Sequence, residues 1–245
     1  MNRINYKNLY NILDTLQNKK LHKILMIYLM IGIILFMKDY NDLTYINFIY
    51  MSMGHPYILS FFILPVSFIE CCYLSYCVRS NKSIINRFSE KKEYLSFECK
   101  LVFLNSCKMF LIYIFMTLLC ANLFAEGSGL IHPDPNYPEV FNIIGLIFHL
   151  IKLFLMLIGI NNLYIYLNRL IDIRFITVGA MFIMLCFFDF FPLGKFEILL
   201  PSYYIGFKNI FPSFNDNLLF SILYFLFIIL VLILMKRIVQ KKDVL

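Results

Sequence analysis

Charge is scarce in this chain. Lys, Arg, Asp and Glu make up 15% of its 245 residues and hydrophobic residues 61%. The apolar residues come in long blocks rather than in amphipathic alternation, a pattern that excludes a water-soluble fold and defines a polytopic membrane protein. What is polar is too short for a soluble catalytic domain. Catalytic signatures are lacking too. GxxxxGK[ST] does not occur, and the only Gly-Lys pair, Gly194 and Lys195, follows Pro192 in an outer segment, so the chain has no phosphate-cradling loop of its own. HExxH, GxSxG and paired carboxylates within a span are missing, which leaves an enzyme without residues to act through. There is no CxxC pair; Cys71, Cys72, Cys77, Cys99, Cys107, Cys120 and Cys186 lie in or beside apolar runs, and the four histidines are scattered. Neither a disulfide framework nor a metal site or other cofactor in this chain is expected.

What is present is a series of apolar runs punctuated by charge. Residues 1–20 carry Leu9, Ile12, Leu13 and Leu16 at helical spacing, with Lys7, Asn11, Asp14 and Asn18 elsewhere on the wheel. This predicts an amphipathic helix lying on the membrane surface. No small-residue cleavage site precedes Lys38, so a cleavable signal peptide is not expected. Apolar runs follow at 21–37, 57–78, 101–124, 141–167, 175–191 and 218–235. They predict an all-α protein of six transmembrane helices forming one membrane domain over 1–245. The charged island 79–100 between the second and third runs holds six of the 22 lysines and arginines, and is long enough to carry a helix of its own. Segment 125–140 has three prolines and no Lys or Arg, the composition of an outer loop. Segment 192–217 is too apolar for an exposed loop and too rich in proline to span. A re-entrant outer segment is expected there, with Tyr203, Tyr204, Phe207 and Phe211 at headgroup depth.

Threaded this way, 18 lysines and arginines fall on one side and three on the other, with Lys152 inside a run. The asymmetry places both termini in the cytoplasm. It also accounts for the net charge of +7 without nucleic acid as a partner. An abundance of Ile, Lys, Asn and Phe points to an AT-rich bacterial genome, hence to a bacterial cell membrane.

Polar residues inside the runs are the candidates for mechanism. Asn142, Gly145, His149, Lys152, Met156 and Gly159 form one stripe of the fourth span, Ser60, Ser67 and Glu70 one stripe of the second, and Asp189 lies near the outer end of the fifth. A lysine mid-span needs a partner or water. Counted at ~1.5 Å per residue, Lys152 lies about 16 Å and Glu70 about 20 Å from the same face, so the two are expected to pair. Such residues either line a translocation path or hold the bundle in register.

The order of an amphipathic leading helix, two spans, a basic helix-bearing loop, three spans, a re-entrant outer segment and a final span with a basic tail resembles the permease subunits of ABC-2 type ABC transporters. Val78, Arg79, Ser80 and Asn81 stand where many members carry Glu and Gly-Thr. The resemblance implies a coupling helix over Ser83 to Leu95 that docks on a separate ATPase, placing Ile85, Arg87, Phe88, Lys91, Lys92 and Tyr94 at that contact. It also implies ATP bound by the partner rather than by this chain, a dimer of that ATPase, and a second permease copy or sister permease. In size the chain is most similar to small permeases for peptide export or bacteriocin immunity. A six-span capture subunit of an uptake system and an immunity protein without transport are the alternatives.

Overall fold

The computed structural model describes residues 6–38, 45–86, 88, 90–125, 139–171, 177–180 and 214–242, and among them every regular element is helical. Four helices are long and apolar enough to cross a membrane: Lys19–Met37, Leu59–Ser80, Lys92–Phe124 and Leu150–Leu170. They coincide with the first four apolar runs. Of the fifth run only 177–180 are described, as helix, and the sixth lies within the 29-residue helix Phe214–Lys242. Segments 125–140 and 192–217, expected on the outer side, fall almost wholly outside the described residues.

The first helix, α1 (Tyr6–Leu16), follows the amphipathic pattern: Leu13 is buried with Ile12 and Leu16 packed beside it, while Asn11, Asp14 and Thr15 are exposed. It ends at Gln17. Asn18 then opens α2 (Lys19–Met37), its Oδ1 accepting from the backbone N–H of Lys20 at 3.0 Å and of Leu21 at 3.2 Å. This is the role of an Asn N-cap, which satisfies donors that have no partner inside the helix. The cap fixes the corner that holds Gln17 and His22 against the bundle. Leu25, Met26, Leu29, Ile33 and Met37 face inward on α2, and Ile24, Ile27, Ile31 and Leu35 face outward. An apolar outer face of that extent suits lipid rather than water.

A short helix, α3 (Tyr45–Gly54), buries Phe48, Ile49 and Met53. After one turn at Pro56–Ile58 comes a π-helical turn, Leu59–Ile63, leading into α4 (Leu64–Ser80). Pro65 explains its place. A proline lacks the N–H that would bond the carbonyl four residues back, and its ring crowds that carbonyl. The freed Phe61 carbonyl accepts instead from Tyr28 Oη of α2 at 3.2 Å. The two segments approach so closely that a β-carbon on Gly32 would lie 2.3 Å from the Phe62 ring.

Beyond α4 the chain makes one helical turn, Lys82–Ile85, capped by Asn81, whose Oδ1 accepts from the Ser83 N–H at 3.1 Å and from Ser83 Oγ at 2.6 Å. Within the stretch Ser83 to Leu95, the described helical residues belong to this turn and, from Lys91, to the next helix, while Arg87 and Ser89 lie outside the described residues. Phe88 turns inward to pack on Phe97 (5.0 Å between centroids) and Tyr94 (5.7 Å). Residues from Lys91 onward belong to α5 (Lys91–Phe124), 34 residues long. At ~1.5 Å per residue such a helix exceeds a ~30 Å hydrocarbon core by several turns. Helix α6 (Glu139–Leu170) packs between α4 and α5 on one side and α7 (Phe214–Lys242) on the other.

Candidate functional site

Two carboxylates are buried in the described bundle, and their surroundings differ. Glu98 of α5 is 1% exposed. Its Oε1 accepts from Ser75 Oγ at 2.6 Å and Arg79 Nε at 2.9 Å; its Oε2 accepts from Arg169 Nη2 at 2.9 Å and Arg79 Nη2 at 3.4 Å. Four donors on two oxygens satisfy the carboxylate, and both guanidiniums bond with charge assistance. Arg79 ends α4 and Arg169 ends α6, so one side chain of α5 ties three helices together at their basic ends. Arg169 also lies over the Tyr94 ring, 5.1 Å from its centroid, a cation–π contact.

Glu70 of α4 lies deeper in the second span. Its Oε1 meets His22 Nδ1, and its Oε2 accepts weakly from Gln17 Nε2 at 3.5 Å. Gln17 Oε1 in turn accepts from Lys108 Nζ of α5, so the lysine reaches the carboxylate only through an amide. A cavity of about 10 Å³ opens here, lined by Glu70, His22, Gln17, Tyr73 and Asn105. It is of the size that holds one water. Asn105 is 3% exposed, and its Nδ2 has no acceptor among the described residues. A complete network lies nearby: Asn161 Nδ2 of α6 donates to Ser67 Oγ and Ser106 Oγ, each at 2.9 Å, and Ser106 Oγ donates to the Val102 carbonyl at 2.9 Å.

The Glu70 geometry corrects the expected Glu70–Lys152 pair. Equal depth fixes height but not azimuth, and Glu70 points toward the α1–α2 corner, where His22 and Gln17 engage it. Lys152 is buried at 1% exposure on α6. His149 shares that helix, with its side chain outside the described residues, as Asp189 is altogether. Of the residues expected at an ATPase contact, Ile85 is 39% exposed and Lys92 is exposed on the first turn of α5, while Phe88 and Tyr94 are half-buried in the aromatic packing above. Arg87 and the Lys91 side chain lie outside the described residues.

Run-and-charge reading missed Glu98, Ser75, His22, Gln17, Lys108 and Asn105 as partners. A signal for one of them was present: Glu98 is an acid flanked by two basic helix ends on the same side of the membrane. No family model, curated protein or solved structure matches the chain.

Proposed function

We propose that the chain is the membrane-spanning subunit of an ABC-2 type exporter, driven by a separate ATPase and carrying a peptide, antimicrobial or amphipathic substrate out of a bacterial cell. One observation carries the reading. The turn Lys82–Ile85 presents Ile85 outward while Ile84, 8% exposed, anchors it to the core. Behind it the Glu98 lock joins α4, α5 and α6. A push on Ile85 would therefore move three helices as a unit, as an energy-coupling contact requires. In this reading both termini are cytoplasmic, the ATPase dimer binds at the basic end beside a second permease copy or sister permease, and Glu70, His149, Lys152 and Asp189 line or gate the path.

The test is Ile85→Asp, made alone because Phe88 belongs to the packing. Membrane insertion and monodispersity should match the parent, and co-purification of the partner ATPase should fall about tenfold, as for loss of an interface hot spot. Substrate-stimulated ATP hydrolysis should fall with it. Unchanged co-purification and unchanged stimulation would refute the coupling role.

A further inference from the structure

A groove of about 250 Å³ runs between the start of α5 and the end of α7. Lys92 and Lys100, eight residues apart on α5, and Lys236 on α7 stand around it. Spacing of four and eight residues puts Lys92, Ser96 and Lys100 on one helical stripe, and Gln240 follows Lys236 one turn later. Among the described residues no acid lines the groove, and none of the three lysines has an ion-pair partner. Of the α5 carboxylates, Glu98 is already held by two arginines, and Glu93 is not among the residues that line the groove.

The floor is polar as well. Tyr166 of α6 accepts from Cys99 Sγ at 3.7 Å, which leaves its own hydroxyl proton to donate. Toward the apolar part of α5 the groove ends at Phe103, 41% exposed. Three cations with no ion-pair partner among the described residues, together with neutral donors, thus lie next to apolar surface, at the level where the apolar stretch of α7 gives way to Lys236. This is the chemistry of a phosphate whose ester chains lie in the bilayer. Basic pockets of this kind between membrane helices recruit anionic headgroups.

We propose that this groove binds the phosphate of an anionic phospholipid, with Lys100 and Lys236 clamping the headgroup and Phe103 lying along an acyl chain. The site would hold a lipid of the surrounding leaflet as a fixed part of the bundle, joining α5 to α7 where protein side chains leave a gap. It does not depend on the chain being an ABC-2 permease.

The experiment uses the full chain in nanodiscs of phosphatidylcholine with increasing phosphatidylglycerol, and counts lipids retained in native mass spectra after gentle release. The parent should retain phosphatidylglycerol over phosphatidylcholine. K100Q/K236Q should lose that retention by roughly 30-fold, taking each lysine near a surface at its usual electrostatic worth. K100R/K236R, which keeps the charge, should hold the lipid, and so should K19Q/K241Q, which removes the same charge away from the groove. Equal retention by K100Q/K236Q and K19Q/K241Q overturns the site. If millimolar inorganic phosphate displaces phosphatidylglycerol completely, the groove is a free-phosphate site and the lipid assignment fails. A K100Q/K236Q protein that no longer folds is read through K236Q alone, where an unchanged lipid count counts against the proposal.

Discussion

Glu98 and Glu70 are both acids inside an apolar bundle, yet the chain treats them differently. Glu98 receives four donors from two neighbouring helices, α4 and α6, and its charge is overmatched by two arginines. Glu70 receives a histidine and a distant amide, beside a water-sized cavity and an asparagine nitrogen with no acceptor among the described residues. A fully satisfied carboxylate is a tie: it costs much to break and gains nothing from moving. A partly satisfied one, beside a water-sized cavity, has alternative hydrogen-bond arrangements within reach. The basic end therefore reads as the rigid frame and the Glu70 layer as the part able to rearrange.

The largest effect should come from Glu98→Leu, which strands two guanidiniums behind one apolar side chain. A loss of about 3 to 5 kcal/mol is expected for breaking such a buried network. It should appear as a large fall in thermal midpoint in detergent and in the yield of monodisperse protein. Asn161→Leu should come next, at roughly 1 to 3 kcal/mol, because it leaves two buried serine hydroxyls short of a donor. Glu70→Gln should cost less, about 1 kcal/mol, since the new amide can still bond to the His22 imidazole. Should Glu70→Gln prove as damaging as Glu98→Leu, the contrast between frame and mobile layer is wrong. Asn105→Leu sharpens it further. Removing a buried amide that lacks an acceptor should be neutral to slightly stabilising, within about 1 kcal/mol, whereas the same change at Asn161 is not.

The smallest effect is one of pH and belongs to neither carboxylate. His55, between α3 and the Pro56 turn, stacks beside Phe36 at 5.4 Å and Tyr57 at 5.6 Å, and burial lowers its pKa from 6.5. The unfolded chain then binds the proton more readily than the folded one, so His55 contributes stability that is full above about pH 6.5 and lost as pH falls through the lowered folded value. His55→Phe should flatten part of the acid side of a melting-temperature profile. A profile identical to that of the parent would remove His55 from the account.

Run length located the four described helices that are long and apolar enough to cross a membrane, because it is a property of consecutive residues. The predicted first span, 21–37, differs from α2 by two residues at its start, and the amphipathic spacing of Leu13 and Leu16 is realised in α1. Apolar runs did not mark where helices begin. The third run opens at Leu101, but α5 starts at Lys91, since lysine and glutamate interrupt hydropathy without interrupting a helix. Ten-residue α3 is too short to register as a span, and it earns its place only by burying Phe48 and Met53. The partner of Glu70 was illegible for a different reason. Depth along a helix follows from counting residues, whereas the direction a side chain faces depends on how helices rotate against one another, and the Asn18 corner that carries His22 to Glu70 leaves only a local trace in sequence.

Gly32 has a consequence for how this sequence is free to change. Its missing side chain and the Phe62 ring occupy the same space, so the two positions share one fixed volume. A lineage that acquires alanine or serine at 32 must lose bulk at 62, and drift at either site alone is blocked. Among homologues, the residue sizes at 32 and 62 should trade off against each other, even where the polar residues of the bundle have diverged.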